Sequence, residues 1–306
     1  MTSKRWPDFL IIGAAKAGTT SLAQYLGQHP SLFMAREKES HFFTFDGQRP
    51  QFRGPGDDQT FNSLVISDER RYLKCFEEAP SGSVAGEASV FYLYVPASIE
   101  RALKANPEMR LVAVLRNPSE RARSAHDHMV RDGWEQLDLA AAFTQEDTRK
   151  ANGWSFGWHY RSVSQYVEQV RAILEIAPRA NLHFLTFEHF RDDPAGELSK
   201  LFTFLGVASD LDVDTTVAFN QSGLPRFRAL NQLITQPNAL KTAAKAVLPY
   251  RWGKRVSHKI LSWNLDRSGL GESSGVASGA AAFDGKQLSE LTQMTGLDLS
   301  VWPASG

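Results

Sequence analysis

The chain has 306 residues, with 34 basic and 34 acidic side chains, so its formal net charge is zero. Apolar residues make up 42% and charged residues 22%, which excludes a disordered tail or a collagen-like fibre. No surplus of Lys and Arg exists to neutralise phosphates, so a general nucleic-acid binder is excluded too. The length suits one large α/β domain or two smaller domains. The single cysteine, Cys75, rules out an internal disulfide framework and a Cys-based zinc site, and reads as a small buried hydrophobe. No stretch approaches the roughly 20 apolar residues of a membrane helix, and no apolar leader opens the chain. A soluble, cytoplasmic protein is expected.

In chain order, Phe9-Leu-Ile-Ile-Gly13 is a short continuous apolar run that leads into small residues. A buried parallel strand feeding a loop reads this way. Leu22, Tyr25 and Leu26 then recur at helical spacing over 20–28, and Pro30 stops the helix. Residues 83–86 form a second strand candidate. Arg110-Leu-Val-Ala-Val-Leu115 is the clearest strand, and Asn117-Pro-Ser-Glu120 opens a helix with proline in its first turn. Residues 181–185 form a fourth strand between helices predicted over 165–176 and 195–205. Strands alternating with helices predict a central parallel sheet flanked by helices on both faces. The expectation is one α/β domain over residues 1–306.

Three segments depart from this alternation. The aromatic, glycine-rich stretch 152–160 reads either as a substrate-facing loop or as a surface loop anchored by tryptophan. The stretch 241–259 is locally basic, which fits a solvated helix face, a lid over an anion or a membrane-surface contact. Residues 267–282 are nearly low in complexity and are expected to be flexible. The seven histidines outside position 41 show no metal-ligand spacing, so no metal site is expected.

The informative loop is Gly13-Ala-Ala-Lys16-Ala17-Gly18-Thr19-Thr20-Ser21. A strand delivers the chain into it and a helix starts at its end. Backbone N–H groups converge there, and the helix dipole favours an anion. Gly18 permits close approach, Thr19, Thr20 and Ser21 add hydroxyl donors, and Lys16 can neutralise charge on a departing phosphate oxygen. The spacing imitates a Walker A loop, which makes the expected domain P-loop-like. The Lys-Ser/Thr pair that should follow the second glycine is nevertheless missing. A small-residue turn that only packs a helix on a sheet is the plain alternative for the loop alone.

Leu115-Arg116-Asn-Pro-Ser-Glu-Arg-Ala-Arg-Ser124 supplies a second anchor, an arginine ending a strand with a serine two helical turns later. Together the two segments resemble the nucleotide-binding motifs of sulfotransferases that use 3′-phosphoadenosine 5′-phosphosulfate (PAPS). The resemblance implies that Lys16, Ala17, Gly18, Thr19, Thr20 and Ser21 hold the 5′-phosphosulfate, and that Arg116 and Ser124 hold the 3′-phosphate. A guanidinium fork with a hydroxyl suits a terminal phosphate dianion. Glu37-Lys-Glu39-Ser-His41-Phe-Phe43 is similar to the Glu-x-His-Phe-Phe segment of heparan sulfate and bacterial carbohydrate sulfotransferases, where the glutamate is the base. Glu39 is therefore the first candidate for the base and His41 its rival, because small-molecule members use a histidine. Gly86-Glu-Ala-Ser89, 165–169, 187–206 and the closing Leu299-Ser-Val-Trp302 resemble later parts of the family. Ala88 stands where heparan sulfate enzymes carry a lysine, which argues against a heparan-like acceptor. The family's Lys/Arg-Gly-Arg clamp is not evident, and Arg226 or the basic 241–259 stretch is the candidate to replace it.

By this resemblance the chain transfers a sulfuryl group from PAPS to a hydroxyl, secondarily an amine, of a carbohydrate or small molecule. It releases adenosine 3′,5′-bisphosphate and needs no metal. The rivals are a P-loop kinase using magnesium-ATP on a small metabolite, and a catalytically silent nucleotide-binding module.

Overall fold

A computed structural model of the protein describes residues 5–45, 47–210, 213–216, 224–225, 265–266 and 283–304. Five parallel strands form its sheet: β1 (Phe9–Gly13), β2 (Leu32–Met34), β3 (Val84–Ala88), β4 (Arg110–Leu115) and β5 (Leu182–Thr186). Their spatial order is β2-β3-β1-β4-β5. In register, Phe9 sits opposite Gly86 on one side and Arg110 on the other. The Phe9 ring fills the space over Gly86, where a Cβ would stand 2.3 Å from the ring.

All five residues of β1 are buried, as are the last five of β4. Strands buried on both faces read as unbroken apolar runs, which is why these two are the plainest in the sequence. One helical layer contains α1 (Thr19–Leu26), α7 (Phe187–Asp192) and α8 (Pro194–Leu205). Tyr25 of α1 lies 5.9 Å from Phe190 of α7, and His29 just beyond α1 lies 4.7 Å from Phe202 of α8. Another layer joins α3 (Ala97–Ala105), α6 (Tyr166–Ile176) and the last helix, Gly285–Thr295. Between them in the chain stand α2 (Glu69–Lys74), α4 (Pro118–Arg131) and α5 (Leu139–Ala151). In this numbering the last helix is α9. A short antiparallel pair, Leu224–Pro225 with Leu265–Asp266, completes the described elements.

The predicted strands and helices are present, with ends moved by one or two residues. The first helix runs Thr19–Leu26 instead of 20–28. The three-residue edge strand β2 and the helices α2, α3, α5 and α9 were not anticipated. Cys75 is half-buried, not fully enclosed. Arg226, the basic 241–259 stretch and the 267–282 segment lie outside the described residues.

Connections leave the C-terminal end of β1 and of its neighbours in opposite directions. That is the crevice in which open α/β sheets hold ligands. Lys16 follows β1, Glu39 follows β2, Val90 follows β3, Arg116 follows β4 and Phe187 follows β5. All five line one cavity of about 660 Å³.

Candidate active site

Gly18 is the residue before α1 and has φ +84°, in the left-handed region; a Cβ there would stand 2.9 Å from the Phe187 ring. Glycine is therefore required twice over, by its conformation and by the close packing of the loop on Phe187. No side chain caps α1. Its first-turn amides have no partner within the helix and carry the positive end of its dipole. Thr19, Thr20 and Ser21 line the cavity at this point, with Lys16 beside them. Ala17 does not, because its side chain is fully buried in the main core.

The Arg116 guanidinium donates to the Lys16 carbonyl at 3.2 Å and lies 4.8 Å over the Phe187 ring. The Asn117 side chain accepts from the amides of Ser119 and Glu120, both at 3.1 Å, and so fixes the start of α4 directly after the arginine. Ser124, two turns on, opens onto the same cavity. Burial pushes the Lys16 pKa down from 10.5 to about 8, helped by the positive charges of Arg131, Arg116 and Arg121.

On the other side of the cavity, Glu39 Oε2 accepts from the Val90 amide at 3.1 Å and lies 3.1 Å from His41 Nε2. A carboxylate has only lone pairs to offer, so Nε2 carries the hydrogen. His41 Nδ1 is buried and has no hydrogen-bond partner. The imidazole is stacked on Phe61 at 4.9 Å and is 3% exposed, whereas Glu39 retains 33% of its side-chain exposure. Glu39 and His41 both line the cavity, and the carboxylate is the more exposed of the two.

What holds this pair is Glu87, at the end of β3. Its Oε1 accepts from Tyr92 at 2.7 Å, and its Oε2 accepts from Ser40 at 2.7 Å and Ser89 at 3.1 Å. Burial raises its pKa, and the three hydroxyls pull the other way. Ser40 stands between Glu39 and His41, and Ser89 accepts from the His41 amide at 3.0 Å. Both oxygens of Glu87 are committed to this brace, so it does not face the cavity as the magnesium-holding acid a kinase would need.

Three residue groups escaped the sequence reading. His128, Arg131 and Asp132 of α4 and its end line the cavity. Arg131 donates to His128 Nδ1, and burial with the charges of Lys16 and Arg131 holds the His128 pKa well below the usual imidazole value. Their signal was present, since 128 and 131 follow Ser124 by four and seven residues on one helix face. Thr60, Phe61 and Leu64 come from a π-helical turn at Asp58–Asn62 and the residues after it. Tyr25, Phe187, Phe190 and Arg191 close the remaining wall. The two readings of 152–160 both describe part of it. Trp158 and Tyr160 are buried anchors, while Ser155 and Gly157 reach the cavity. Among the described residues no His, Cys, Asp and Glu cluster is arranged as a metal site. Nor is any helix among them long and apolar enough to cross a membrane.

A family model described as "Sulfotransferase domain" matches residues 6–223. A crystal structure of a sulfotransferase from Alicyclobacillus acidocaldarius superposes with a TM-score of 0.67 at 34% identity, covering 82% of this chain and all of that one. The bifunctional heparan sulfate N-deacetylase/N-sulfotransferase 1 of Caenorhabditis briggsae is 27% identical over 238 residues, 72% of this chain and 25% of the relative. The mouse heparan sulfate glucosamine 3-O-sulfotransferase 6 is 24% identical over 211 residues, 67% of this chain and 53% of the relative. The chain therefore spans about a quarter and about half of these two curated relatives.

Proposed function

The chain belongs to the sulfotransferase family, and from that premise we propose an enzyme that transfers a sulfuryl group from PAPS to an acceptor hydroxyl on a carbohydrate or small molecule. The observation that carries this reading is convergence. Lys16, Arg116, Ser124 and Glu39, brought together from the segments that follow three different strands, line one cavity. The donor set suits the cofactor, with uncapped amides and hydroxyls at α1, a bared position at Gly18, a lysine within the loop and an arginine-serine pair 100 residues on.

Bound there, PAPS supplies the sulfuryl group, and adenosine 3′,5′-bisphosphate is the product left behind. Lys16 and the first-turn amides of α1 neutralise charge on the phosphate side, in place already before the reaction begins. Arg116 and Ser124 hold the 3′-phosphate and so fix the nucleotide's position. Glu39, which lines the cavity, takes the proton of the acceptor hydroxyl. His41 donates to that carboxylate and orients it, which assigns the histidine a supporting part. A single cysteine in 306 residues fits a reducing compartment, and a cytoplasmic location is part of this reading.

Calorimetric titration with adenosine 3′,5′-bisphosphate and, separately, with magnesium-ATP tests the assignment. The expected result is micromolar binding of the bisphosphate, weak binding of ATP, and loss of bisphosphate affinity in Arg116→Ala. A preference for magnesium-ATP would overturn the reading in favour of a kinase.

A further inference from the structure

The stretch of cavity wall next to Glu39 and His41 narrows the acceptor: the Val90 amide donates to Glu39, and Phe61 and Phe91 pack on His41 at 4.9 and 5.6 Å. It is built from Phe61, Leu64, Val90 and Phe91, with Thr60 and Ser155 as its hydroxyl-bearing members. Both hydroxyls are engaged as donors elsewhere: Thr60 donates to the Gly56 carbonyl at 2.8 Å and Ser155 to Asp57 at 2.6 Å. Leu64 leaves 49% of its surface exposed at the cavity, although it is a large aliphatic side chain.

The wall is also held rigid. Asp57 is fully buried and accepts from the Gly54 amide at 2.8 Å, the Ser155 amide at 2.9 Å and Trp158 Nε1 at 3.2 Å, besides the Ser155 hydroxyl. That carboxylate ties the turn bearing Thr60 and Phe61 to the loop bearing Ser155. Phe61 is further wedged against Phe52 at 5.2 Å and Phe156 at 5.6 Å, while His41 covers one of its faces. With 6% of its surface exposed, Phe61 offers little aromatic face on which a sugar ring would stack.

From this wall the geometry points to a neutral, largely apolar hydroxyl compound as the acceptor, a phenol or aliphatic alcohol in preference to a polyhydroxylated sugar. The inference rests on the sulfotransferase reading above. A sugar would lose the hydration of several hydroxyls against a wall that offers in exchange only the lone pairs of two hydroxyl oxygens. A single hydroxyl directed at Glu39, with an apolar body against Leu64, Val90 and Phe91, meets the wall without that loss. Its oxygen gains the sulfuryl group, its proton passes to Glu39, and a sulfate monoester leaves beside the bisphosphate.

The test uses the full chain with PAPS and two acceptor pools: 1-naphthol, 4-nitrophenol and 1-octanol in one, desulfated heparan oligosaccharides in the other. Turnover is expected with the first pool. Leu64→Glu is expected to raise the acceptor KM by about tenfold or more, the scale of lost apolar contact in a specificity pocket. Leu64→Met keeps an apolar side chain of similar volume and should raise the KM far less than Leu64→Glu. Turnover confined to the oligosaccharides, an unchanged KM in Leu64→Glu, or no turnover of the apolar pool by a protein that binds the bisphosphate would each overturn the acceptor class. Failure to bind the bisphosphate would instead bring down the sulfotransferase reading beneath it.

Discussion

Among the described residues, Lys16, Glu39 and His41 are the non-glycine positions with a left-handed backbone, at φ 70°, 57° and 46°. Each such conformation costs about 1–2 kcal/mol and persists only where its surroundings enforce it. All three are the residues to which the family resemblance gives chemistry. For Lys16, loss of the ammonium removes a preplaced charge, so Lys16→Ala is expected to lower the single-turnover rate by about 10²–10³-fold, the range for deleting one preorganised charge-stabilising donor. An unchanged rate would remove Lys16 from the reaction. Its pKa near 8 also sets a pH limit. The ammonium is present below pH 8 and is lost above it, so kcat/KM for PAPS should fall as pH rises through about 8, and Lys16→Arg should move that limb upward. Glu39 and His41 separate in the same way. Glu39→Gln keeps the shape but accepts no proton, and should cost about 10²–10⁴-fold in kcat. His41→Gln should cost distinctly less, because the carboxylate keeps its Val90 amide bond. Equal losses in the two variants would make the histidine the base.

At the scale of elements, the loop before α1 depends on a contact that lies far away in sequence. Gly18→Ala would place a methyl group 2.9 Å from the Phe187 ring at a φ of +84°. A loss of about 1–2 kcal/mol in stability is expected from the backbone alone, read by urea denaturation, together with weaker bisphosphate binding. Phe187→Leu added to Gly18→Ala should recover the packing share and leave the backbone share. How much of this was readable follows from the same distinction between local and distant causes. β1 and β4 show themselves as apolar runs because both of their faces are buried, and Asn117-Pro118 announces α4 by local capping. The edge strand Leu32–Met34 has three residues and one fully buried face residue, too little for a pattern to form. The helix Leu139–Ala151 buries Glu146 and Arg149 in ion pairs and hydrogen bonds, so polar residues occupy positions where a periodic reading expects apolar ones. The motifs of the site were legible because each is a contiguous string. The wall beside Glu39 was not, because Asp57 and Ser155 are 98 residues apart and no local signal links them.

Across the whole molecule, the cavity lies where three apolar clusters meet. Tyr25 and Phe190 belong to the core around the sheet, Met129 to the cluster of α4 with Trp158 and Tyr160, and Phe61 with Val90 and Phe91 to the third. The end of the chain is tied into this arrangement. Trp302 is 3% exposed in the main core, and its Nε1 donates to Glu188 Oε2 at 2.9 Å. The other oxygen of Glu188 accepts from the Asn117 amide at 3.0 Å, next to Arg116. A residue 186 positions away thus helps to hold the backbone beside Arg116 through a single carboxylate. Trp302→Ala removes both bulk and donor and should cost about 3–5 kcal/mol of stability, the usual range for emptying a buried aromatic site. Trp302→Phe keeps most of the bulk and removes only the N–H. It should retain the fold by urea denaturation while weakening bisphosphate binding several-fold in calorimetry, because Glu188 is then free to turn from Asn117. Unchanged affinity in Trp302→Phe would show that the tail stabilises the core alone, and that Arg116 is held in place by Phe187 and the Lys16 carbonyl.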